Sequence, residues 1–309
     1  MEDKTPAIKI NGLSKKYSGS KTFALKDLDL QIEIGEVYGF LGPNGAGKTT
    51  TIRLMLGLIK PTAGSVEIFG QDTQKQKIKV HERLAYVPGE ATLWPSLTGA
   101  ETLHLLGKIH GRQDQNYLKT LVKRFSFDPN KKVRAYSKGN RQKINLIAAF
   151  AARAELLLLD EPTAGLDPLM EEAFRTSVIE AKNAGQTVFL SSHILSEVEA
   201  LCDRLAILRD GKLVESGTLG QMRHLSAITV EATFDHAPPK INHVPGVKNM
   251  QIVGHQLRCQ VHGDIAPLLS ILSAAKPRSL LSREPSLEEL FLSLYGGKDI
   301  RNPEAGDEL

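Results

Sequence analysis

The sequence predicts an α/β protein built on a parallel sheet, followed by a smaller α+β unit. Three observations carry that expectation. A glycine-rich loop ending in Lys48-Thr49 lies between a strand-like and a helix-like run. Strand and helix patterns then alternate as far as about residue 217. Beyond that point come three short strand-like runs and a helix, without the alternation.

Alternating or β-branched runs at Ala7 to Asn11, Phe23 to Ile34 and Glu36 to Leu41 read as strands, with Gly35 turning between the last two. From Lys48 to Leu58, Ile52, Leu54, Met55 and Leu58 recur at helical spacing, and Pro61 with Gly64 closes the helix. Leu84 to Val87 reads as a strand. Thr98 to Phe125 reads as two helices parted near Gly111, a helical insertion. A helix from Ser137 to Ala152, a buried strand from Glu155 to Leu159, a helix from Pro168 to Asn183 and a strand from Thr187 to Leu190 complete the first part.

The pattern changes between Gly217 and Ser226. We therefore expect a first domain over residues 1–220, with its helical subdomain at about 91–152, and a small α+β domain over 226–296. In the latter, runs at Ala227 to Phe234, Lys248 to Val253 and Gln256 to His262 read as strands. Ser286 and Glu289 form an S-x-x-E capping box that predicts a last amphipathic helix through Leu294. Residues 297–309 read as a polar tail.

Composition narrows the function. With 41% apolar and 24% charged residues, the chain can bury a full core. Its formal charge of +4 is spread without a dense basic block, which argues against nucleic acid. Cys202 and Cys259 lack any metal or disulfide spacing. The richest apolar stretch, Ile144 to Leu159, is broken by Arg153 and Glu155 and falls short of the roughly 20 residues of a spanning helix. The start, MEDKTPAIKI, lacks the apolar core of a secretory signal, so a cytoplasmic location is expected.

Gly42-Pro43-Asn44-Gly45-Ala46-Gly47-Lys48-Thr49 fits G-x-x-x-x-G-K-[ST] between a strand and a helix. Glycines let backbone N–H groups converge on phosphate oxygens, and the helix start adds its positive dipole end. Lys48 is the expected partner of β- and γ-phosphates, Thr49 of Mg²⁺, and Thr50 of the α-phosphate. This loop alone says only that a nucleoside triphosphate binds. Leu156 to Leu159 then deliver Asp160 and Glu161 to the phosphate end of the sheet. Asp160 suits Mg²⁺, and Glu161 suits the general base that polarises the attacking water.

In order and spacing, these residues resemble the ATP-binding cassette (ABC) family from about Ala7 to Gly217. The resemblance implies a P-loop NTPase fold of the ABC type, with ATP and Mg²⁺ as cofactors. Tyr136-Ser137-Lys138-Gly139-Asn140-Arg141-Gln142 matches the family's LSGGQ-type signature, which in that family contacts ATP held by the opposite subunit. Ala164-Gly165-Leu166-Asp167 matches the D-loop, His193 the switch histidine that contacts the γ-phosphate, and Tyr17 the aromatic that stacks on adenine. Alone, Asp167 reads better as a helix N-cap and His193 better as a loop histidine, and an aromatic such as Tyr17 often just packs.

Two positions depart from the family. Where a glutamine usually senses Mg²⁺ and couples to the membrane subunit, this chain has Pro88-Gly89-Glu90, so either Glu90 or a water replaces the amide or coupling at this site is altered. Lys138 replaces the signature's second glycine, placing a cation where it can add to γ-phosphate binding across a dimer or face solvent. The strings Y-V-P-G-E and Y-S-K-G-N-R-Q-K resemble bacterial drug-exporter ATPases of the ABC-2 type. That resemblance implies a head-to-tail dimer with a second copy or a paralogue, and a separately encoded membrane permease. It also implies peripheral attachment to the inner face of the cell membrane. A soluble cassette acting on nucleic acid or ribosomes, a P-loop kinase or GTPase, and a non-hydrolysing module are the rival readings.

Overall fold

The computed structural model describes residues 5–90, 92–224 and 228–283 of the 309-residue chain. It divides between Ser216 and Gly217 into two compact units.

In chain order the first unit runs β1 (Ile8–Lys15), β2 (Leu25–Ile32), β3 (Val37–Leu41), α1 (Lys48–Met55), β4 (Ala63–Ile68), β5 (Gln71–Asp72), α2 (Lys77–His81) and β6 (Leu84–Val87). The inserted helices α3 (Gly99–His110) and α4 (Gln115–Arg124) follow, then α5 (Lys138–Ala151), β7 (Leu156–Asp160), α6 (Pro168–Asn183), β8 (Thr187–Ser192), α7 (Leu195–Leu201), β9 (Arg204–Arg209) and β10 (Lys212–Thr218). The second unit holds α8 (Leu219–His224), β11 (Ile228–Thr233), β12 (Val247–Val253), β13 (Gln256–Val261), α9 (Ala266–Ala274) and β14 (Ser279–Arg283).

A six-stranded sheet in the order β10-β9-β3-β8-β7-β6 organises the first unit, with parallel pairing from β9 through to β6. Strands β3, β7 and β8 are buried along their whole length, as expected where both faces of a parallel sheet are covered. The first two strands do not join this sheet. They pair with β4 and β5 in a separate antiparallel sheet, order β2-β1-β4-β5. Both sheets share one core, in which Ile10, Leu28, Phe40, Ile52, Leu158 and Phe189 are buried.

The inserted helices start where their caps dictate. Thr98 accepts from the Glu101 amide while Glu101 accepts from the Thr98 amide, a capping box that opens α3. Gly111 ends α3 in the left-handed conformation, and Asp114 caps α4. Both helices pack on α5.

The second unit is an antiparallel sheet in the order β12-β13-β11-β14 with α9. Its own core contains Val230, Phe234, Leu257, Cys259, Leu268 and Leu272. The helix expected from Ser286 to Leu294 lies outside the described residues. Among the described residues no helix is long and apolar enough to cross a membrane.

Candidate nucleotide-binding site

The loop Gly42, Pro43, Asn44, Gly45, Ala46 and Gly47 joins β3 to α1. A Cβ at Gly47, whose φ is +112°, would fall 2.6 Å from the Ala24 carbonyl oxygen, so only glycine fits there. Likewise a Cβ at Gly42 would fall 2.5 Å from the Leu208 carbonyl oxygen. Lys48 is 4% exposed; its ammonium donates to the carbonyls of Gly42 at 2.7 Å and Pro43 at 3.2 Å. Tyr17 is held at the same helix start, its hydroxyl 3.4 Å from that of Thr50, and the Lys15 ammonium lies 5.3 Å from its ring centroid.

Asp160 and Glu161 emerge where β7 ends. Asp160 is buried and accepts from the Ser191 hydroxyl at 2.6 Å. The Glu161 amide donates to the Ser191 carbonyl at 3.1 Å, and Glu161 adopts a φ of +45°, a left-handed conformation uncommon outside glycine. That turn aims its carboxylate across the site. One oxygen lies 3.1 Å from the Lys48 ammonium and the other 3.4 Å from His193 Nδ1. Burial pushes the Glu161 carboxyl up, but Lys48 and His193 together outweigh it and hold the group below the ordinary glutamate value.

A cavity of about 530 Å³ opens beside these groups, lined by Asn44, Thr49, Glu90, Lys138, Asp160 and Glu161 among others. Lys138, the departure from the signature glycine, thus faces a cavity of its own chain. Ser137 caps α5 by accepting from the Asn140 amide at 3.3 Å, and Asp167 caps α6 by accepting from the Met170 amide at 3.0 Å. Neither lines this cavity. Gly139 is needed for close packing: a Cβ there would fall 2.5 Å from the Gly165 carbonyl oxygen. At Gly89 the corresponding approach, to the Asp160 carbonyl oxygen, is 3.1 Å.

Sequence reasoning missed two supporting residues. Gln142, 2% exposed, donates to the carbonyls of Pro88 at 3.1 Å and Pro162 at 3.3 Å, tying together the two loops that flank the cavity. A buried amide at the fifth residue of a helix gives no sequence signal beyond its place in the signature string. Ser191 supports both carboxylate residues, and it was hidden because β8 runs two residues past its apolar stretch.

Comparison with known proteins agrees with this geometry. The family described as ABC transporter matches residues 25–164. The bacitracin transport ATP-binding protein BcrA of Bacillus licheniformis is 33% identical over 310 residues, covering 95% of this chain and 98% of that protein. The daunorubicin/doxorubicin resistance ATP-binding protein DrrA of Streptomyces peucetius is 30% identical over 329 residues, covering 98% and 97%. A dimeric structure of MJ0796, a bacterial ABC transporter cassette, superposes with a TM-score of 0.63 at 25% identity, covering 69% of this chain and 98% of that one. The chain therefore belongs to the ATP-binding, ATP-hydrolysing subunits of the ABC transporter family.

Proposed function

We propose that this chain hydrolyses ATP to drive export of a small-molecule antibiotic or drug through a separately encoded membrane permease. The observation that carries the chemistry is the convergence of Lys48 and His193 on the two oxygens of Glu161 beside one polar cavity. The export reading is supported by full-length similarity to proteins named for bacitracin transport and daunorubicin/doxorubicin resistance.

In this reading the loop from Gly42 to Thr50 cradles the phosphates, with Lys48 at the β- and γ-phosphates and Tyr17 against the adenine. The Thr49 hydroxyl and the Asp160 carboxylate are hard oxygen donors on one cavity wall, a donor set that fits magnesium bound alongside phosphate oxygens. Mg²⁺, when bound, neutralises charge on the β- and γ-phosphate oxygens. Glu161 accepts a proton from water as its oxygen attacks the γ-phosphorus. The bond from that phosphorus to the bridging oxygen breaks, leaving ADP and phosphate. His193 holds the γ-phosphate, and Glu90 stands in for the family's missing glutamine at Gly89.

Ser137, Lys138, Gly139 and Asp167 act on ATP held by the other member of a head-to-tail dimer, a second copy or a paralogue. The permease docks on an apolar groove lined by Leu56, Leu58, Ile78, Leu84, Tyr86 and Ile109. Leu58, Ile78 and Ile109 are 62%, 78% and 65% exposed there, which is unusual clustering for a surface without a partner. Docking places the chain on the inner face of the cell membrane, with no role for nucleic acid.

The test is drug export by cells carrying the chain together with its permease, measured beside magnesium-dependent phosphate release by the purified chain. Lys48→Ala should abolish both. Phosphate release that persists in Lys48→Ala, or export indifferent to that substitution, would overturn the reading.

A further inference from the structure

Two cavities of about 530 Å³ each open on the first unit, the polar one beside Glu161 and the apolar groove. Among the described residues that line them, only Tyr86 belongs to both. Two elements run from one cavity to the other. On β6, Leu84 and Tyr86 point to the same face, because side chains alternate along a strand, and the chain leaves the strand at Pro88. Leu84 lines the groove, Pro88 lines the polar cavity, and Tyr86 between them lines both. On α1, Thr49 and Arg53, one turn apart, line the polar cavity, and Leu56, three residues further, lines the groove. At Tyr86 the wall between the cavities is one residue thick.

Tyr86 is partly buried and packs against the core that contains Ile52 and Leu158. Its backbone pairs in parallel register with Leu158 of β7, two residues before Asp160. Just beyond it, the Pro88 carbonyl accepts from the Gln142 amide of α5 at 3.1 Å. A ring packed to this density cannot be pressed on one side without moving on the other. Gly89, where the family's glutamine stands, has no side chain with which to do the same.

We propose that Tyr86 is a positioning residue that links the two cavities, its ring carrying a change in the occupation of one to the wall of the other. On the reading of the polar cavity as the nucleotide site, bound nucleotide reshapes the groove through this ring. A segment seated in the groove acts back through it on Pro88 and the turn that carries Gly89 and Glu90. The two directions carry the same coupling free energy.

Hydrogen exchange on the full chain, with and without magnesium and a non-hydrolysable ATP analogue, tests the link in wild type, Tyr86→Leu and Tyr86→Phe. In wild type the analogue should slow exchange at residues 42–50 and change it about fivefold or more at residues 77–84, which include the groove residues Ile78 and Leu84. Tyr86→Phe keeps the ring and should respond as wild type does. Tyr86→Leu should still slow exchange at 42–50, the sign of a folded site, while its response at 77–84 falls to within about twofold of none. Tyr86→Met, a flexible filler, is read beside it and should lose the groove response likewise, so that misfolding of one variant does not decide the outcome. A groove response that persists in the Leu and Met variants, that is lost in Tyr86→Phe, or that is missing from a wild type protected at 42–50 would each overturn the proposal. A wild type that shows no protection at 42–50 strikes the nucleotide reading itself and takes the link with it.

Discussion

Lys48 and Glu161 form an ion pair across the site, the ammonium 3.1 Å from Oε1 of the carboxylate. The cation proposed to bind phosphate and the proposed base are thus each other's partners. On that proposal, triphosphate binding is an exchange in which Lys48 trades a carboxylate for phosphate oxygens and Glu161 is released toward water.

Glu161→Gln should lower kcat by a factor of about 10² to 10⁴, the usual contribution of a positioned general base. ATP affinity should hold or improve, since the competing carboxylate charge is gone. Phosphate release and nucleotide binding measured on the same preparation check both halves, and ATP-dependent dimerisation by size exclusion should become persistent.

Lys138→Gly removes a cation that lines the cavity. If that cation meets the partner's triphosphate, the substitution should weaken ATP-driven dimerisation about tenfold, the scale of one charge-assisted hydrogen bond. Sedimentation at graded ATP concentrations reads this directly; unchanged dimerisation returns Lys138 to solvent.

Gly139→Ala places a Cβ 2.5 Å from the Gly165 carbonyl oxygen, a backbone atom that cannot rotate away. The start of α5 must shift, at a cost of about 1–3 kcal/mol by analogy with overpacking. Thermal unfolding should show the loss, with turnover falling alongside.

Gln142→Leu leaves the carbonyls of Pro88 and Pro162 without their shared donor. We expect a loss of about 1–3 kcal/mol in stability and a reduced kcat, because the loops on either side of the cavity are no longer tied. Gln142→Glu cannot donate through its carboxylate and should resemble Leu more than wild type.

Acid should loosen the inserted helices. Arg124 grips Glu180 with two hydrogen bonds of 2.6 and 2.8 Å, and Tyr117 adds a third at 2.8 Å, joining α4 to α6. Arg124 is the main cause holding the Glu180 carboxyl below its ordinary value. A lowered folded value means the stabilisation is present above the ordinary glutamate range and fades as pH drops through the lowered one. Glu180 is 40% exposed, so screening limits the effect of Glu180→Gln at neutral pH to about 1 kcal/mol or less. Unfolding followed from pH 7 down to pH 3 should find mutant and wild type converging.

Much of this was legible in the sequence because it rests on local rules. The helix from Pro168 to Asn183 is announced by Asp167 and Pro168, cap and first-turn residue, and the run from Leu156 to Leu159 has one reading as a buried strand. Elements specified by pairing were harder. The β9–β10 hairpin turns on Asp210-Gly211, both at positive φ, a dipeptide that suits such a turn but stands among charged residues that mask the strands. The separate antiparallel sheet of β1, β2, β4 and β5 depends on which edges meet, which periodicity does not encode. At the site, Ser191 and Gln142 gain meaning only when distant segments close on them. Gly89 reads as a lost side chain in the sequence; in the fold a Cβ added there would fall 3.1 Å from the Asp160 carbonyl oxygen.

The two hydrophobic clusters, one around Phe40 and Phe189 and the other around Phe234 and Leu257, have no residue in common. Each unit thus has a core of its own, and if each melts by itself calorimetry should resolve two heat-absorption peaks. The proposed nucleotide site lies in the larger unit, so added ATP analogue should move that unit's peak upward. A peak that stays in place is then an internal thermometer for the second unit, against which every substitution above can be read.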